Sequence, residues 1–265
     1  MTTIREITQA LEKLAPTHYQ ESYDNAGLIT GSQNTPVNGV LICLDSLECV
    51  IEEAIEQKCN LIVAHHPIIF KGLRQINGKN YVERIIIKAI KNDIAIYAIH
   101  TNLDNVPEGV NFKFANLLGL ENIKILAPKN NHDKQATAVG SGAIGTLRTQ
   151  FSGQDFLKYI KQKLNLTLIR HTKLLDKAIK TVAVCGGTGS FLLPQAIALG
   201  ADVFVSTDFK YHEFFDADEQ IVIADIGHYE SEVNTCNLLQ EYLQQHFAHL
   251  PLKITSHNTN PIIYT

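Results

Sequence analysis

The 265-residue chain carries five cysteines and not one Cys-x-x-Cys pair. Neither a disulfide framework nor a cysteine-built zinc site is therefore expected. Cys43, Cys49, Cys59 and Cys236 read as small buried apolar side chains in a reducing compartment. Long apolar runs are also missing: stretches such as Leu61–Ala64 and Ile85–Ile87 fall far below the roughly 20 residues that a membrane-crossing helix needs. Met1–Glu6 has no basic stretch ahead of an apolar core, so a secretory signal is not expected. A large excess of charge of either sign is missing as well, with 23 Lys and Arg against 27 Asp and Glu. A net formal charge of −4 gives no general attraction to nucleic acid or to an acidic membrane surface. No low-complexity tract is present. The expectation is a soluble, cytoplasmic protein without a membrane or nucleic-acid partner.

What the sequence does contain is an alternation of strand-like and helix-like segments. At 45% hydrophobic residues, a chain of this length can bury one large core or two smaller ones. Thr3 and Glu6 form a capping box ahead of Ile4, Ile7, Leu11 and Leu14, which recur at helical spacing. Gly39–Leu44 reads as a strand, Glu48–Gln57 as a helix, Leu61–Ala64 as a strand, Tyr81–Lys91 as a helix and Ile94–Ile99 as a strand. That order predicts a parallel, helix-covered sheet. The polar segment Pro128–Gln135 reads as a lobe boundary or surface loop. Beyond it come a strand near Ala136–Ile144, a helix near Gln154–Leu164 and strands at Val182–Val184, Val203–Val205 and Ile221–Ala224. Helices are expected near Leu192–Leu199 and Glu230–Phe247, and a last strand at Lys253–Thr255. The predicted architecture is α/β, with two three-layer lobes and the site in the cleft between them. Residues 1–127, completed by 251–265, form one lobe and residues 128–250 the other.

Three short segments place histidine beside histidine or carboxylate directly after strand-like runs: Ala64-His65-His66-Pro67, His100-Thr101-Asn102-Leu103-Asp104 and Gly227-His228-Tyr229-Glu230-Ser231-Glu232. Imidazole and carboxylate are the common donors to zinc, manganese, iron and nickel, and parallel α/β sheets bind ligands at the carboxyl ends of their strands. Each segment has a plainer reading. A lone His pair is more often one ligand and one hydrogen-bonded ring, Asn102 and Asp104 are turn formers, and Glu230 and Glu232 suit a helix N-terminus. His228 and Glu232, four apart at a helix start, face one side. The coincidence of all three clusters with strand ends favours metal. His65, His66, His228, Asp104 and Glu232 exceed the needs of one tetrahedral ion and suit a pair bridged by a carboxylate and a water, which points to hydrolysis.

With Tyr23-Asp24-Asn25-Ala26-Gly27-Leu28, the segment Gly200–His212 and Thr259-Asn260-Pro261-Ile262, these clusters resemble the NGG-interacting-factor-three-like family, whose bacterial members are commonly labelled GTP cyclohydrolase 1 type 2 homologues. The resemblance runs from about Tyr23 to Ile262. It implies a dinuclear centre between two α/β lobes and a ring-shaped homohexamer. It further implies that His65 and His228 hold one ion and His66 and Asp104 the other, with Glu232 bridging. Tyr23 replaces the family's usual Trp and Thr207 its frequent Gly, departures that bear on substrate contacts.

Around these ligands, Cys185-Gly186-Gly187-Thr188-Gly189-Ser190 reads either as a phosphate cradle at a helix start or as a plain tight turn. Gly186, Gly187, Thr188 and Lys210 are the candidate substrate contacts. His100 is either an orienter of Asp104 or a proton shuttle, and His212, oriented by Glu213, is a second candidate for proton transfer. Lys71 reads as solvated surface. Two functions compete. One is a dinuclear metal-dependent hydrolase of a nucleotide or phosphorylated small molecule, with GTP ring opening as the form the family label implies. The other is a metal-dependent binding or regulatory ring protein without turnover.

Overall fold

The computed structural model describes residues 1–129 and 138–265. Most of the predicted boundary at Pro128–Gln135 and the start of the strand expected near Ala136 lie outside the described residues. The chain forms two compact units. One comprises Met1–Leu103 with Thr235–Pro261, the other Asp104–Asn234 with Ile262–Thr265. The division thus falls at Leu103/Asp104 instead of near 127, because the helix Val110–Leu117 buries Phe114 and Ala115 in the core of the second unit.

The first unit is built on a five-stranded sheet in the order Gly27–Thr30, Ala95–Ala98, Leu61–Ala64, Val40–Cys43, Leu252–Ile254. All neighbours are parallel except the edge strand Gly27–Thr30, which runs antiparallel to Ala95–Ala98. The three central strands are buried throughout, as β-branched runs in a parallel sheet covered on both faces should be. Leu41, Cys43, Ile62, Ala64 and Ile96 pack against Val50, Ile51 and Ala54 of the helix Glu48–Glu56 and against Ile85, Ile86 and Ala89 of the helix Tyr81–Lys91. Intervening residues such as Val40 and Ile42 point to the opposite face. There the helix Thr235–His246 meets the strand Val40–Cys43 and the helix Ile4–Leu14, and Tyr242 donates to the Ala10 carbonyl at 2.8 Å. The expected capping box is present at Thr3 and Glu6.

The second unit holds a six-stranded mixed sheet in the order Leu120–Pro128, Gly140–Phe151, Ile179–Thr188, Val203–Thr207, Val222–Asp225, Arg170–His171. The three strands from Ile179 to Asp225 are parallel. The outer strands are antiparallel to their neighbours. One face packs on the helices Val110–Leu117 and Gly153–Lys163 through Phe114, Phe156 and Ile160. The other packs on Leu192, Leu193, Ala196 and Phe209. Each unit is therefore a three-layer α/β body. Two differences from the sequence expectation matter for the site. The helix expected over Glu230–Phe247 is two helices, His228–Glu232 and Thr235–His246, which belong to different units. The strand expected at Val182–Val184 runs on to Thr188, so the glycine segment is a strand end and not a free loop.

Candidate metal centre

In the first unit, His65 follows the strand Leu61–Ala64, which lies beside Ala95–Ala98 in register Ala64↔Ala98. The carboxyl ends of both strands are level, and this brings His65 and His66 to His100. The three ring centroids lie 5.0, 5.3 and 5.4 Å apart. One donor-capable atom from each ring lies within 4.8 Å of the others.

The way each ring is held decides what it presents. His65 is buried, and its Nδ1 donates to the Ile99 carbonyl at 2.8 Å. A carbonyl only accepts, so in the neutral ring the lone pair is on Nε2. His66 Nδ1 donates to Asp45 Oδ1 at 2.7 Å, and Asp45 Oδ2 accepts from the Thr259 hydroxyl at 2.8 Å. His100 Nδ1 donates to Asp24 Oδ1 at 2.8 Å. Asp24 also accepts from the Thr101 amide at 3.0 Å, the Thr101 hydroxyl and the Asn25 amide. Burial raises the Asp24 carboxyl, but these bonds and the His100 ring outweigh it and hold the group at about 2. His100 is thus oriented by Asp24; the expected pairing of His100 with Asp104 is not what holds its ring.

In the second unit, Gly227 takes φ 94° and turns the chain from the strand Val222–Asp225 into the helix His228–Glu232. One helical turn separates His228 from Glu232, and Nε2 meets Oε2 at 3.1 Å. On its other side, His228 Nδ1 donates to Asp208 Oδ2 at 2.7 Å, where the Thr188 hydroxyl also donates. Burial opposes a charge on this ring, yet the two carboxylates prevail and raise His228 to about 11. A cation bound at Nε2 would take the place of the proton that these carboxylates attract. A carboxylate oxygen of Asp104 lies within 4.8 Å of one of Glu232, and Glu232 is only 3% exposed. In all four histidines Nδ1 is anchored on a carbonyl or carboxylate, the arrangement by which metal-ligating imidazoles are commonly oriented. The donor set fits divalent cations that accept mixed nitrogen and oxygen ligands.

The glycine segment has a role other than the one expected. The Gly186 amide donates to Asn111 Oδ1 at 2.9 Å and the Gly187 amide to the Ser231 hydroxyl at 3.0 Å. Both amides are engaged inside the fold, so they do not form a phosphate cradle, and Thr188 is engaged by Asp208. Gly187 makes room instead. It has φ 65°, and a Cβ there would sit 2.4 Å from Glu232 Oε1. Cys185 is buried; burial and the Asp104 and Glu232 carboxylates push its thiol well up. Lys210, His212 and Lys71 are exposed. Glu213 accepts from the Lys210 amide at 2.8 Å, while the His212 ring stacks on Phe215 at 6.2 Å, so the expected orientation of His212 by Glu213 is not formed.

Nothing local in the sequence marks Asp24, Asp45 and Asp208 as partners of these histidines or Asn111 as a support of the Asp104 turn. Asn111 is buried and also donates to the Asp104 carbonyl at 3.0 Å, which ties the Asp104 turn to the strand end at Gly186. Asn111→Leu is expected to lower stability by about 2 kcal/mol, since the buried Gly186 amide and the half-buried Asp104 carbonyl lose their partner. Urea unfolding of wild type and variant checks this.

Residues 2–261 match the family described as Duf34/NIF3 (NGG1p interacting factor 3). The chain belongs to that family. A Clostridium acetobutylicum relative named "GTP cyclohydrolase 1 type 2 homolog" is 32% identical over 263 residues, covering 97% of each chain. The crystal structure of a Bacillus cereus protein related to NIF3 superposes with a TM-score of 0.93 at 28% identity, covering 100% of this chain and 99% of that one. A Staphylococcus aureus protein of known structure follows at TM-score 0.89 and 30% identity, with the same coverage. The three-layer units are therefore a family architecture. Among the described residues, no helix is long and apolar enough to cross a membrane.

Proposed function

We propose that this family member is a dinuclear metal-dependent hydrolase acting on a nucleotide or a phosphorylated small molecule, with ring opening of GTP as the specific form suggested by its relatives' names. The observation that carries the reading is the shared anchoring of His65, His66, His100 and His228 through Nδ1, together with the carboxylates of Asp104 and Glu232. In this reading, which follows the family resemblance, His65 and His228 would hold one ion and His66 and Asp104 the other, with Glu232 as the carboxylate they would share. Zinc, manganese, iron and nickel all suit such donors. When bound, two divalent ions would supply an activated water and neutralise the negative charge that develops on the atoms bonded to the attacked carbon or phosphorus.

The chain's own residues supply the rest. Asp45 and the Ile99 carbonyl fix the His66 and His65 tautomers. Asp24 keeps a proton on His100 Nδ1, so His100 exchanges protons with substrate at Nε2. His212 is the second candidate for proton transfer, and Lys210 the candidate to neutralise a substrate anion. The reading includes a ring-shaped homohexamer in the cytoplasm.

Mass-spectrometric metal analysis of tag-free protein tests it. About two ions per chain are expected for wild type, with both lost in His65→Ala/Glu232→Ala, and turnover on a nucleotide and phosphoester panel should disappear in Glu232→Ala. No bound metal after reconstitution would remove the hydrolase. Two ions without turnover across the panel would favour the binding or regulatory alternative.

A further inference from the structure

Within the first unit, a cavity of about 370 Å³ opens beside His66 and is lined by Asp45, Ser46, Phe70, Tyr81, Asn258 and Asn260 among others. Its size is that of a small-molecule site. Two aromatic rings stand out in its lining: Phe70 is 54% exposed and Tyr81 55% exposed. Exposed rings gathered at the rim of a cavity are the kind of surface that a bound ligand covers.

The rings are carried on an organised frame. Asn25 Nδ2 donates to the Ile69 carbonyl at 2.7 Å, which ties the backbone beside Phe70 to the Asp24 segment. Phe70 meets the His100 ring edge-on at 5.7 Å. Tyr81 opens the helix Tyr81–Lys91, whose cap Asn80 accepts from the Glu83 amide at 3.0 Å. The Glu83 carboxylate in turn gathers the amides of Asn77 and Lys79 at 3.1 and 3.0 Å. Across the cavity, Thr259 is pinned to Asp45, and Asn258 Oδ1 accepts the Asn260 amide at 2.9 Å. That bond leaves the Asn258 NH2 group as a hydrogen-bond donor at the rim.

We infer that this cavity is a base pocket: it takes the flat nitrogen heterocycle of a purine nucleoside or nucleotide. The observations that support it are a proposed metal ligand in its wall, two presented aromatic rings and side-chain amides at its edge. Flat bases stack on aromatic rings with little dependence on their identity. Side-chain amides pair with the polar edges of purines. The inference rests on the hydrolase reading for its link to catalysis, since His66 belongs to both. Phe70, Tyr81 and Asn258 would then be specificity residues, with the rings gripping the base and the amide reading its edge.

The test uses 2-aminopurine riboside, whose fluorescence is quenched on stacking, and ribose 5-phosphate as a base-free probe. The chain has no tryptophan, so the probe can be excited selectively. Saturable quenching by wild type is expected. Tyr81→Ser and Phe70→Ser should each weaken it about tenfold, the order of loss for removing one stacking ring, while binding of ribose 5-phosphate and metal content stay at wild-type levels. Asn258→Ala should alter the preference between 2-aminopurine riboside and inosine without abolishing quenching. Absence of quenching by metal-loaded wild type, or wild-type quenching by both serine variants, overturns the pocket while leaving the metal centre standing. Quenching that is lost in the serine variants of a protein that binds no metal upholds the pocket and removes the hydrolase.

Discussion

Gly187→Ala is expected to lower metal affinity by roughly 10–100-fold, the range typical for disturbing the groups that position ligands. The cause is local. A methyl group at this position would stand 2.4 Å from Glu232 Oε1 and 3.6 Å from His228 Cε1, so the Glu232 carboxylate must leave its place against the strand end. A second cost comes from the backbone, because φ 65° disfavours any residue with a Cβ by about 1–2 kcal/mol. The two effects can be separated. Gly200 has a similar φ of 70°, and a Cβ there would meet nothing within 4 Å. Gly200→Ala should therefore show the backbone cost alone, with wild-type metal content. Metal titration of both variants beside thermal unfolding distinguishes them; retention of wild-type affinity in Gly187→Ala would detach Glu232 from the centre.

Removing the Asp24 carboxylate should strongly destabilise the first unit. Its side chain is 0% exposed, and it accepts from His100, from both polar groups of Thr101 and from the Asn25 amide. Asp24→Ala leaves those donors without their acceptor, at a cost of roughly 3–5 kcal/mol. It also releases the His100 tautomer, so any turnover dependent on His100 Nε2 falls with it. The pH dependence follows from the direction of the shift. The carboxyl sits at about 2 in the folded chain against 3.8 for an ordinary aspartate. On acidification the unfolded chain takes up the proton first, so this stabilisation is complete above about pH 4 and is lost as the pH falls toward 2. Asp24→Asn should flatten the stability profile in that window; an unchanged slope there would show that another group carries it.

Much of the candidate site is legible in the sequence, because His65, His66, His100 and His228 each follow an apolar run that ends a buried strand. Their partners cannot. Asp45 lies 21 residues from His66, Asp208 lies 20 from His228, and Asp24 lies 76 from His100. No local spacing links such pairs; only the strand order does. The glycine segment is legible as unusual but not in purpose, since what Gly187 accommodates is a side chain from a helix far along the chain. In the fold, the central parallel strands are plain from their unbroken apolar runs. The helix Val110–Leu117 is not, because Val-Asn-Phe-Lys-Phe alternates with the period of a strand. The strand Leu120–Pro128 is hidden for the opposite reason: Asn122 takes φ 54° at a register shift, which breaks the alternation that would mark it.

The division of the chain also sets an order on its synthesis. Asp104–Asn234 leaves the ribosome as one uninterrupted stretch holding every strand of its own sheet. The other sheet must wait, because Leu252–Ile254 is the strand that pairs with Val40–Cys43. Domains of a nascent chain generally fold from the amino terminus onward; here the sheet whose strands begin first receives its last strand, Leu252–Ile254, only after every strand of the other sheet has been made.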